Sequence, residues 1–502
     1  MIRILLGFFF RRSIVFDKVL GGSSDSFFLN YFFEIICRVS RIFERYQYKS
    51  FFLKKDLKKF TIFLFIVTLP IVFGSQIQLS NLSSNRIDLS QRQFGIIIFS
   101  LSNLLLFPLF FYAIRDSVRA KRTRILNLEI FLFLYLLISL TSAIISVDFK
   151  SSFVWLLKLT FSFSIYFIFS RITFKLSDLK IILLSFLTII LVEGLVVGSQ
   201  AAAGSITGVF PQGIERFESA SLDIAIPFMN ANYFRVIGTF SHPNNLANYL
   251  SIILPILCFG AIAQKGFLKK LYYISVIICG AGIVLSLSRW GIVTGIFALL
   301  LVFALFLKFL NKEQFNFSFL RYILIIAVLF IIIIFTNQSL IRRFLNLSVS
   351  DGSLLTRIEL TNQALYMIEQ NPLFGVGSGA FTYYFINEDV TSINVSRSFL
   401  APVHNFYLLI ASETGLISLY LILIFFILLS YFFLKRINSL EKLEKLLALG
   451  IFASILTFLF NGLATMTSFT DRTGFLLSLL IGLLVNILYH SSPVSKFPKP
   501  SH

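Results

Sequence analysis

Long apolar runs separated by short basic segments dominate the chain. Each run is about as long as the ~20 apolar residues that a helix needs to cross a bilayer. The short alternating segments of a membrane β-barrel form a different pattern. The runs therefore predict twelve membrane-spanning helices. Their approximate bounds are 60–78, 94–114, 127–147, 152–170, 181–199, 246–264, 271–288, 291–310, 322–337, 405–434, 446–466 and 474–490.

Basic residues predict the orientation of these spans. Lys and Arg are concentrated in residues 1–59 and again after every second span. Such an excess is typical of cytoplasmic loops. Twelve spans place every basic cluster, and both termini, on the cytoplasmic side. The predicted fold class is an all-α integral membrane protein with a large outward loop, containing helices, before span ten.

The segments outside the spans have distinct compositions. Residues 1–59 interleave Phe and Ile with Arg and Lys, which favours amphipathic helices on the inner leaflet over a poorly ordered basic tail. Residues 60–490 form the predicted polytopic membrane domain, and 491–502 a cytoplasmic tail. Two outward loops are long, 200–245 and 338–404, and loops of this length are usually functional or disordered.

The second long loop contains a helical pattern, "TRIELTNQALYMIEQNP". Thr356 and Glu359 have the spacing of a capping box at its start. Asn371-Pro372 ends it, because the residue before a proline disfavours helix. An apolar face predicts packing against the membrane or the bundle. That face consists of Leu360, Ala364, Leu365 and Ile368.

Composition agrees with a membrane protein. Of the 502 residues, 57% are hydrophobic and 14% are charged, whereas soluble domains carry about 25% charged residues. A net charge of +20 is compatible with binding to nucleic acid. The basic residues lie in short loops between apolar runs, so no nucleic-acid partner is predicted.

Arginine predominates among the basic residues outside the predicted cytoplasmic segments, where it accounts for ten of twelve. Its guanidinium binds phosphate in two-point fashion, whereas lysine is a point charge. The pattern favours a phosphate or diphosphate ligand, with loop carboxylates or lipid headgroups as the alternative for any single arginine.

Arg289, in "LSLSRWGIV", stands between two spans, where an unpaired charge is expensive. Arg357 is predicted in the first turn of the loop helix, where a cation opposes the dipole, so a ligand or a partner such as Glu369 or Asp351 is expected.

Two histidines stand at predicted helix starts. His404 begins "HNFYLL" on the outward side, and His242 precedes Pro243 at the start of span six. An imidazole near the arginines is suited to acid–base chemistry. An interfacial position for His404, and capping by His242 or Ser241, are the alternatives.

Two further features each allow two interpretations, and several motifs that would indicate a metal or a cofactor are absent. "FGVGSG", from Phe374 to Gly379, has the composition of a phosphate nest, but a tight turn is favoured because no strand precedes it. Lys158 and Glu193, within spans, suggest a structural ion pair or a transport pathway. Walker, metal-cluster and outward D-x-D motifs are absent from the sequence, so it predicts neither a metal nor another cofactor.

Four stretches occur in a characteristic order: "GTFSHPNNLA", "LSLSRWG", "TRIELTNQALYMIEQNPLFGVGSGAF" and "VHNFYLLIASETGLISL". Together they resemble the O-antigen ligase-like family of bacterial membrane proteins, over roughly residues 95–485. The resemblance implies a twelve-helix bundle in the inner membrane whose active site faces the periplasm. It also implies metal-independent glycosyl transfer from a polyprenyl (undecaprenyl) diphosphate-linked glycan to a glycolipid or glycan acceptor, among membrane lipids.

The family's functional residues are two outward arginines and a loop-end histidine. Here they correspond to Arg289, Arg357 and His404, the candidate catalytic residues. Asn405, Leu408 and Gly415 match the rest of the family's histidine motif, whereas "SRW" departs from the common Ser-Arg-Gly. The candidate substrate-binding residues are Arg216, Arg235, His242 and Asn405.

Ligases and polymerases of this family share these motifs and differ in their acceptor, and the sequence leans slightly towards a ligase. A transporter of small anions or sugars is a third possibility. Transporters place binding groups at the bilayer midplane, whereas here most polar groups are predicted outside the spans.

Overall fold

A computed structural model describes residues 51–70, 74–78, 96–119, 127–204, 235–240, 242–310, 352–397, 401–466 and 468–490. The predicted span 322–337, Arg216, nearly all of segment 1–59 and the tail 491–502 lie outside these ranges. The chain divides into two compact units, Met1–Phe60 and Thr61–His502. The described part of the first, residues 51–60, is helical, and the packing below is that of the second.

Helices form almost all of the described structure. In chain order they are α1 (Phe51–Thr68), α2 (Leu101–Arg119), α3 (Asn127–Ile144), α4 (Phe149–Arg171), α5 (Leu176–Ala203), α6 (Pro243–Ala263), α7 (Gly266–Leu285), α8 (Arg289–Phe309), α9 (Gly352–Gln370), α10 (Phe381–Asn387), α11 (Phe406–Arg436), α12 (Lys442–Asn461) and α13 (Arg472–His490). Two 3₁₀ turns cover Val395–Arg397 and Ile437–Ser439. Two strands, β1 (Gly74–Gln78) and β2 (Ile96–Ser100), pair antiparallel with Gly74 opposite Ser100.

Nine of the described helices, α3–α8 and α11–α13, are long and apolar enough to cross a membrane. They correspond to nine of the twelve predicted spans, and the chain is a polytopic membrane protein. Large apolar side chains, among them Leu195, Leu300 and Ile427, are exposed on their outer faces. A lipid environment accommodates such exposure, because lipid tails are as apolar as leucine.

The first two predicted spans are wrong in extent. Residues 60–78 are helical only to Thr68, and residues 74–78 are a strand. Pro70 lacks an N–H donor and disfavours helix at the residue before it, which accounts for the end of α1. In the second span, 94–114, the β-branched run before Ser100 is extended and helix begins only at Leu101.

Helix α6 lies at the centre of the bundle. It packs against α5, α7, α8 and α12, and all its residues from Leu246 to Ala261 are buried. His242 caps its start, because Nδ1 accepts the N–H of Asn244 at 3.1 Å, and Pro243 occupies the first helical position. The capping alternative for His242 is therefore the one that the structure shows.

The loop helix α9 begins four residues before the predicted start at Thr356 and ends at Gln370, as predicted. The predicted capping box is wrong. The Glu359 carboxylate instead accepts the N–H and the hydroxyl of Ser392, across the loop. Arg357 consequently lies in the second turn of α9, beyond the first turn where the dipole argument applied.

The apolar face of α9 is also shifted from the predicted one. Leu360 and Ala364 are buried as predicted, whereas Leu365 is 45% exposed and Met367 is fully buried in its place. These residues belong to a small hydrophobic cluster, here called the loop core, which is separate from the core of the bundle. Its buried members are Leu360, Ala364, Met367, Val376, Phe381, Phe385, Val395, Val403 and Leu409.

A buried ion pair joins α3 and α4 at the end away from this loop. Arg171 donates to both carboxylate oxygens of Glu129, at 2.8 and 2.7 Å, and Tyr166 donates to the same carboxylate. Glu129 is fully buried. Removing one member of such a pair leaves an uncompensated buried charge, which is strongly destabilising.

We expect Glu129→Ala to lower the free energy of unfolding by about 3–5 kcal/mol. Arg115→Ala is the matched control, because Arg115 pairs with Asp116 but its side chain is 44% exposed; its cost should be below about 1 kcal/mol. Unfolding in mixed micelles with increasing sodium dodecyl sulfate measures both. Equal effects of the two substitutions would contradict the structural role of the Glu129 pair.

Candidate active site

Several helix termini meet at one end of the bundle, here called the site end: α6, α8, α11 and α13 begin there, and α7 and α12 finish there. Residues 461–463, at the end of α12, connect two of the predicted site elements. Trp290 of α8 donates to the Asn461 carbonyl at 3.0 Å. Phe406 N–H donates to the Gly462 carbonyl at 2.8 Å, and Asn405 Nδ2 to the Leu463 carbonyl at 3.0 Å. The neighbours of Arg289 and of His404 are thus held by the same three residues.

Arg289 is the first residue of α8. Ser288 caps this helix, because its Oγ accepts the N–H of Gly291 at 3.2 Å. Leu287 has a φ of 52°, a left-handed conformation that a leucine rarely adopts. A tight turn of three residues, 286–288, therefore presents the half-buried Arg289 at the site end. Strain of this kind persists only where the surrounding structure enforces it.

Arg357 and His404 lie within electrostatic range of one another. Burial lowers the pKa of His404 from its usual 6.5 to about 4, and the positive charge of Arg357 acts in the same direction. A backbone hydrogen bond at Pro402 acts in the opposite direction. The imidazole is therefore neutral at pH 7 and able to accept a proton. The structure brings these two predicted site residues together.

The loop core packs next to both Arg357 and His404. Leu360, one turn after Arg357, and Val403, immediately before His404, are both buried in it. Tight packing of this kind resists small displacements. The relative position of the guanidinium and the imidazole is therefore set by apolar contacts between α9 and the start of α11.

Two predicted substrate-binding residues have structural hydrogen bonds. Asn405 caps α11, because its Oδ1 accepts the N–H groups of Tyr407 and Leu408, each at 3.0 Å. Arg235 donates to the Ser286 carbonyl at 2.8 Å and to Asn244 Oδ1 at 2.9 Å. Arg235 therefore ties the segment before α6 to the turn that presents Arg289. Together with the cap at His242, these contacts place three of the four candidates at the site end; the fourth, Arg216, lies outside the described residues.

The predicted pairing of Lys158 with Glu193 is wrong. Glu193 accepts the N–H and the hydroxyl of Thr239 and lies in electrostatic range of Arg472. Lys158 instead lies in electrostatic range of Asp471. The loop segments before α6 and α13 supply these partners, and spacing along the sequence does not indicate that they meet inside the bundle.

The "FGVGSG" stretch forms a turn, as favoured. Two of its N–H groups are already used, Val376 N–H by the Ser412 carbonyl at 2.9 Å and Gly377 N–H by the Glu413 carbonyl at 3.0 Å. These groups are not directed at a phosphate.

Sequence reasoning missed Asn461, which is fully buried. Its carbonyl accepts from Trp290, and its Oδ1 accepts the hydroxyl of Thr294 at 3.3 Å. Its Nδ2 has no hydrogen-bond partner within the part of the chain that the structure describes. The available signal was a polar residue inside the apolar run "ILTFLFNGLA", since buried amides in membrane helices usually have a specific role.

A family model described as O-Antigen ligase matches residues 274–423. The matched segment contains Arg289, Arg357 and His404, and it confirms the resemblance to this family over these residues. None of the curated proteins matches the chain.

The four histidines of the chain permit a direct titration. We expect ¹⁵N-histidine NMR in nanodiscs to show one imidazole with a pKa of about 4, and this signal should disappear in His404→Gln. In Arg357→Gln the pKa of His404 should rise, because the lost positive charge no longer opposes protonation, yet stay below its usual value because burial remains. A His404 pKa near 6.5 in the unmodified protein would show that the imidazole is solvated.

Proposed function

We propose that this protein transfers a glycan from a polyprenyl (undecaprenyl) diphosphate carrier to an acceptor hydroxyl. The observation that carries the proposal is that His404 lies within electrostatic range of Arg357, on two segments that share one hydrophobic core. The match of residues 274–423 to the O-antigen ligase family model supports the same class of reaction.

The two arginines act on the leaving group in this proposal. As the bond from the anomeric carbon to the diphosphate oxygen breaks, that oxygen retains the electron pair. Arg289 and Arg357 provide fixed positive charge where this negative charge develops, and preorganised charge of this kind lowers the barrier. Their planar donors also match two phosphate oxygens at once. The chemistry proceeds without a metal ion.

His404 acts on the acceptor. An alcohol is a weak nucleophile, and a base within hydrogen-bond distance removes its proton as attack proceeds. The hydroxyl oxygen forms the new bond to the anomeric carbon, and its proton passes to the imidazole. Burial keeps the pKa of His404 low, so the base is available near neutral pH and protonated only in acid.

The site end faces the periplasm of the inner membrane in this proposal. The loops at the opposite end include 265–270 and 435–445, which are rich in Lys and Arg, and such loops are typically cytoplasmic. The acceptor distinguishes a ligase from a polymerase, and the proposal favours a ligase. The alternative within the same reaction is an O-antigen or exopolysaccharide polymerase, in which a second carrier-bound glycan supplies the hydroxyl.

We expect His404→Ala to abolish transfer while the protein still inserts into the membrane. Purified protein in liposomes receives a carrier-linked glycan and either a glycolipid acceptor or further carrier-linked glycan, in the presence of a chelator. His490→Ala, at the end of α13, is the matched control and should be fully active. Longer chains on the carrier would indicate a polymerase, and full activity of His404→Ala would refute the role of the imidazole.

Arg289→Lys tests the two-point contact with phosphate. We expect a loss of about tenfold or more, because charge without the planar donors does not bind two oxygens. Arg397→Lys is the control, since Arg397 lies on the same loop region as Arg357 but is exposed. Measured transfer rates at saturating acceptor compare the two. An Arg289→Lys variant as active as its control would remove the argument for a guanidinium.

A further inference from the structure

The helix α11 is interrupted three turns below His404. Gly415 has φ 87° and ψ 167°, so regular helix stops there and resumes afterwards. In a regular helix the N–H of Leu416 would donate to the carbonyl of Ser412, four residues earlier. It donates instead to the carbonyl of Pro372 at 2.8 Å. The interruption therefore releases polar backbone groups inside a membrane-spanning helix.

The loop that follows α9 uses these released groups. The Ser412 carbonyl accepts Val376 N–H at 2.9 Å, and the Glu413 carbonyl accepts Gly377 N–H at 3.0 Å. Unsatisfied backbone groups in a membrane are costly, because no water is present there to form hydrogen bonds with them. The loop and the interruption thus satisfy one another, and neither is stable in this form alone.

The two segments approach so closely that side chains are excluded. A Cβ on Gly415 would lie 2.0 Å from the Leu373 carbonyl oxygen, and one on Gly375 would lie 2.4 Å from the Glu413 carbonyl carbon. Both glycines also have positive φ, 87° and 68°. Their position in the sequence is explained by this contact.

The side chain of Glu413 adds a further contact. Its Oε1 accepts the N–H of Phe381 at 3.3 Å, at the start of α10. Glu413 is buried, and a carboxylate within a span is costly unless it has a specific partner. Phe381 belongs to the loop core that also contains Val403. The carboxyl group of Glu413 is therefore hydrogen-bonded to the same packed cluster that sets the position of Arg357 relative to His404.

The surroundings of Glu413 argue against contact with substrate. The cavity beside it has a volume of about 10 Å³, lined by Tyr135, Phe406, Thr414 and Ser468 among others. This is room for about one water molecule, and a sugar does not fit. Glu413 is thus placed to position other residues without touching the reacting atoms.

We propose that Glu413 is a positioning residue of the transfer site, which fixes the loop after α9 against the interrupted helix α11 and so sets the geometry of Arg357 and His404. The proposal rests on the proposed function for its catalytic consequence. Its structural part, the attachment of the loop through the carboxylate, is measurable without activity.

The test combines two substitutions with a reporter thiol. Glu413→Met keeps a similar volume but has no oxygen acceptor, whereas Glu413→Gln keeps one. Ser378 is fully buried in the loop, and Ser378→Cys in a background free of the three native cysteines provides the reporter thiol, which shows whether the loop stays attached. The readouts are transfer rate and labelling of this thiol by a membrane-impermeant maleimide, in liposomes.

We expect Glu413→Met to reduce transfer by about 100-fold, because small misplacements of catalytic groups have effects of this size, and to make the reporter thiol reactive. Glu413→Gln should retain most of the activity and keep the reporter thiol protected. Glu388→Ala, which removes an exposed acid from the same loop, is the control and should match the unmodified protein. If Glu413→Met does not insert, Glu413→Ala takes its place.

Two results would overturn the proposal. In one, Glu413→Met leaves the reporter thiol protected, whatever its activity, so the carboxylate does not hold the loop. In the other, Glu413→Gln is as inactive as Glu413→Met while the reporter thiol stays protected, so the carboxyl group takes part in the chemistry. A failure of the proposed function looks different: His404→Ala remains active, while the labelling of the reporter thiol still depends on residue 413.

Discussion

The backbone contact between the loop after α9 and the interruption of α11 at Gly415 is the constraint on which the candidate site depends. A membrane-spanning helix normally satisfies its own backbone, and an interruption is tolerated only where protein supplies replacement partners. Here Pro372, Val376 and Gly377 supply them. The loop after α9 is thereby attached to the bundle, and this attachment also fixes α9, the helix that carries Arg357.

The site end combines this docked loop with a second set of contacts around 461–463. Apolar packing positions Arg357 against His404. The indole N–H of Trp290 and the backbone N–H of Phe406 donate to the neighbouring carbonyls of Asn461 and Gly462, which joins the arginine helix α8 to the start of α11. Arg289, Arg357 and His404 lie at or near helix starts, whereas Lys158, Glu193 and Glu413 lie within spans and interact with other residues of the protein there. Several spans expose large apolar side chains on their outer faces, which lipid or a prenyl chain can contact.

Sequence patterns were informative where one physical requirement decides the outcome. Continuous apolar runs predicted all nine described helices that are long and apolar enough to cross a membrane. Asn371-Pro372 marked the end of α9. The start of α9 was misplaced because Glu359 could cap the helix or bind elsewhere, and a tertiary partner, Ser392, takes it. The strand Ile96–Ser100 was missed because a short apolar run such as "IIIFS" is compatible with both helix and strand. The strand Gly74–Gln78, "GSQIQ", is mostly polar and was wrongly joined to the apolar run before it.

The candidate site was predictable in part for a related reason. The family resemblance singled out His404, Arg289 and Arg357, which the residues alone left open to two interpretations. The roles of Glu413, Gly415 and Asn461 depend on partners far away in the chain, which the sequence does not indicate. Capping by Asn405 and His242 is a local effect, and these residues were open to two interpretations because helix starts and binding sites use the same residue types.

The most direct measurement is an electron cryomicroscopy structure of the protein in a lipid nanodisc with undecaprenyl diphosphate. The account predicts diphosphate density at the site end, with phosphate oxygens within hydrogen-bond distance of both Arg289 and Arg357. His404 should lie on the side of the terminal phosphate, to which the glycan is bonded in the donor. Diphosphate bound at the opposite end of the bundle, or bound without either arginine, would contradict it.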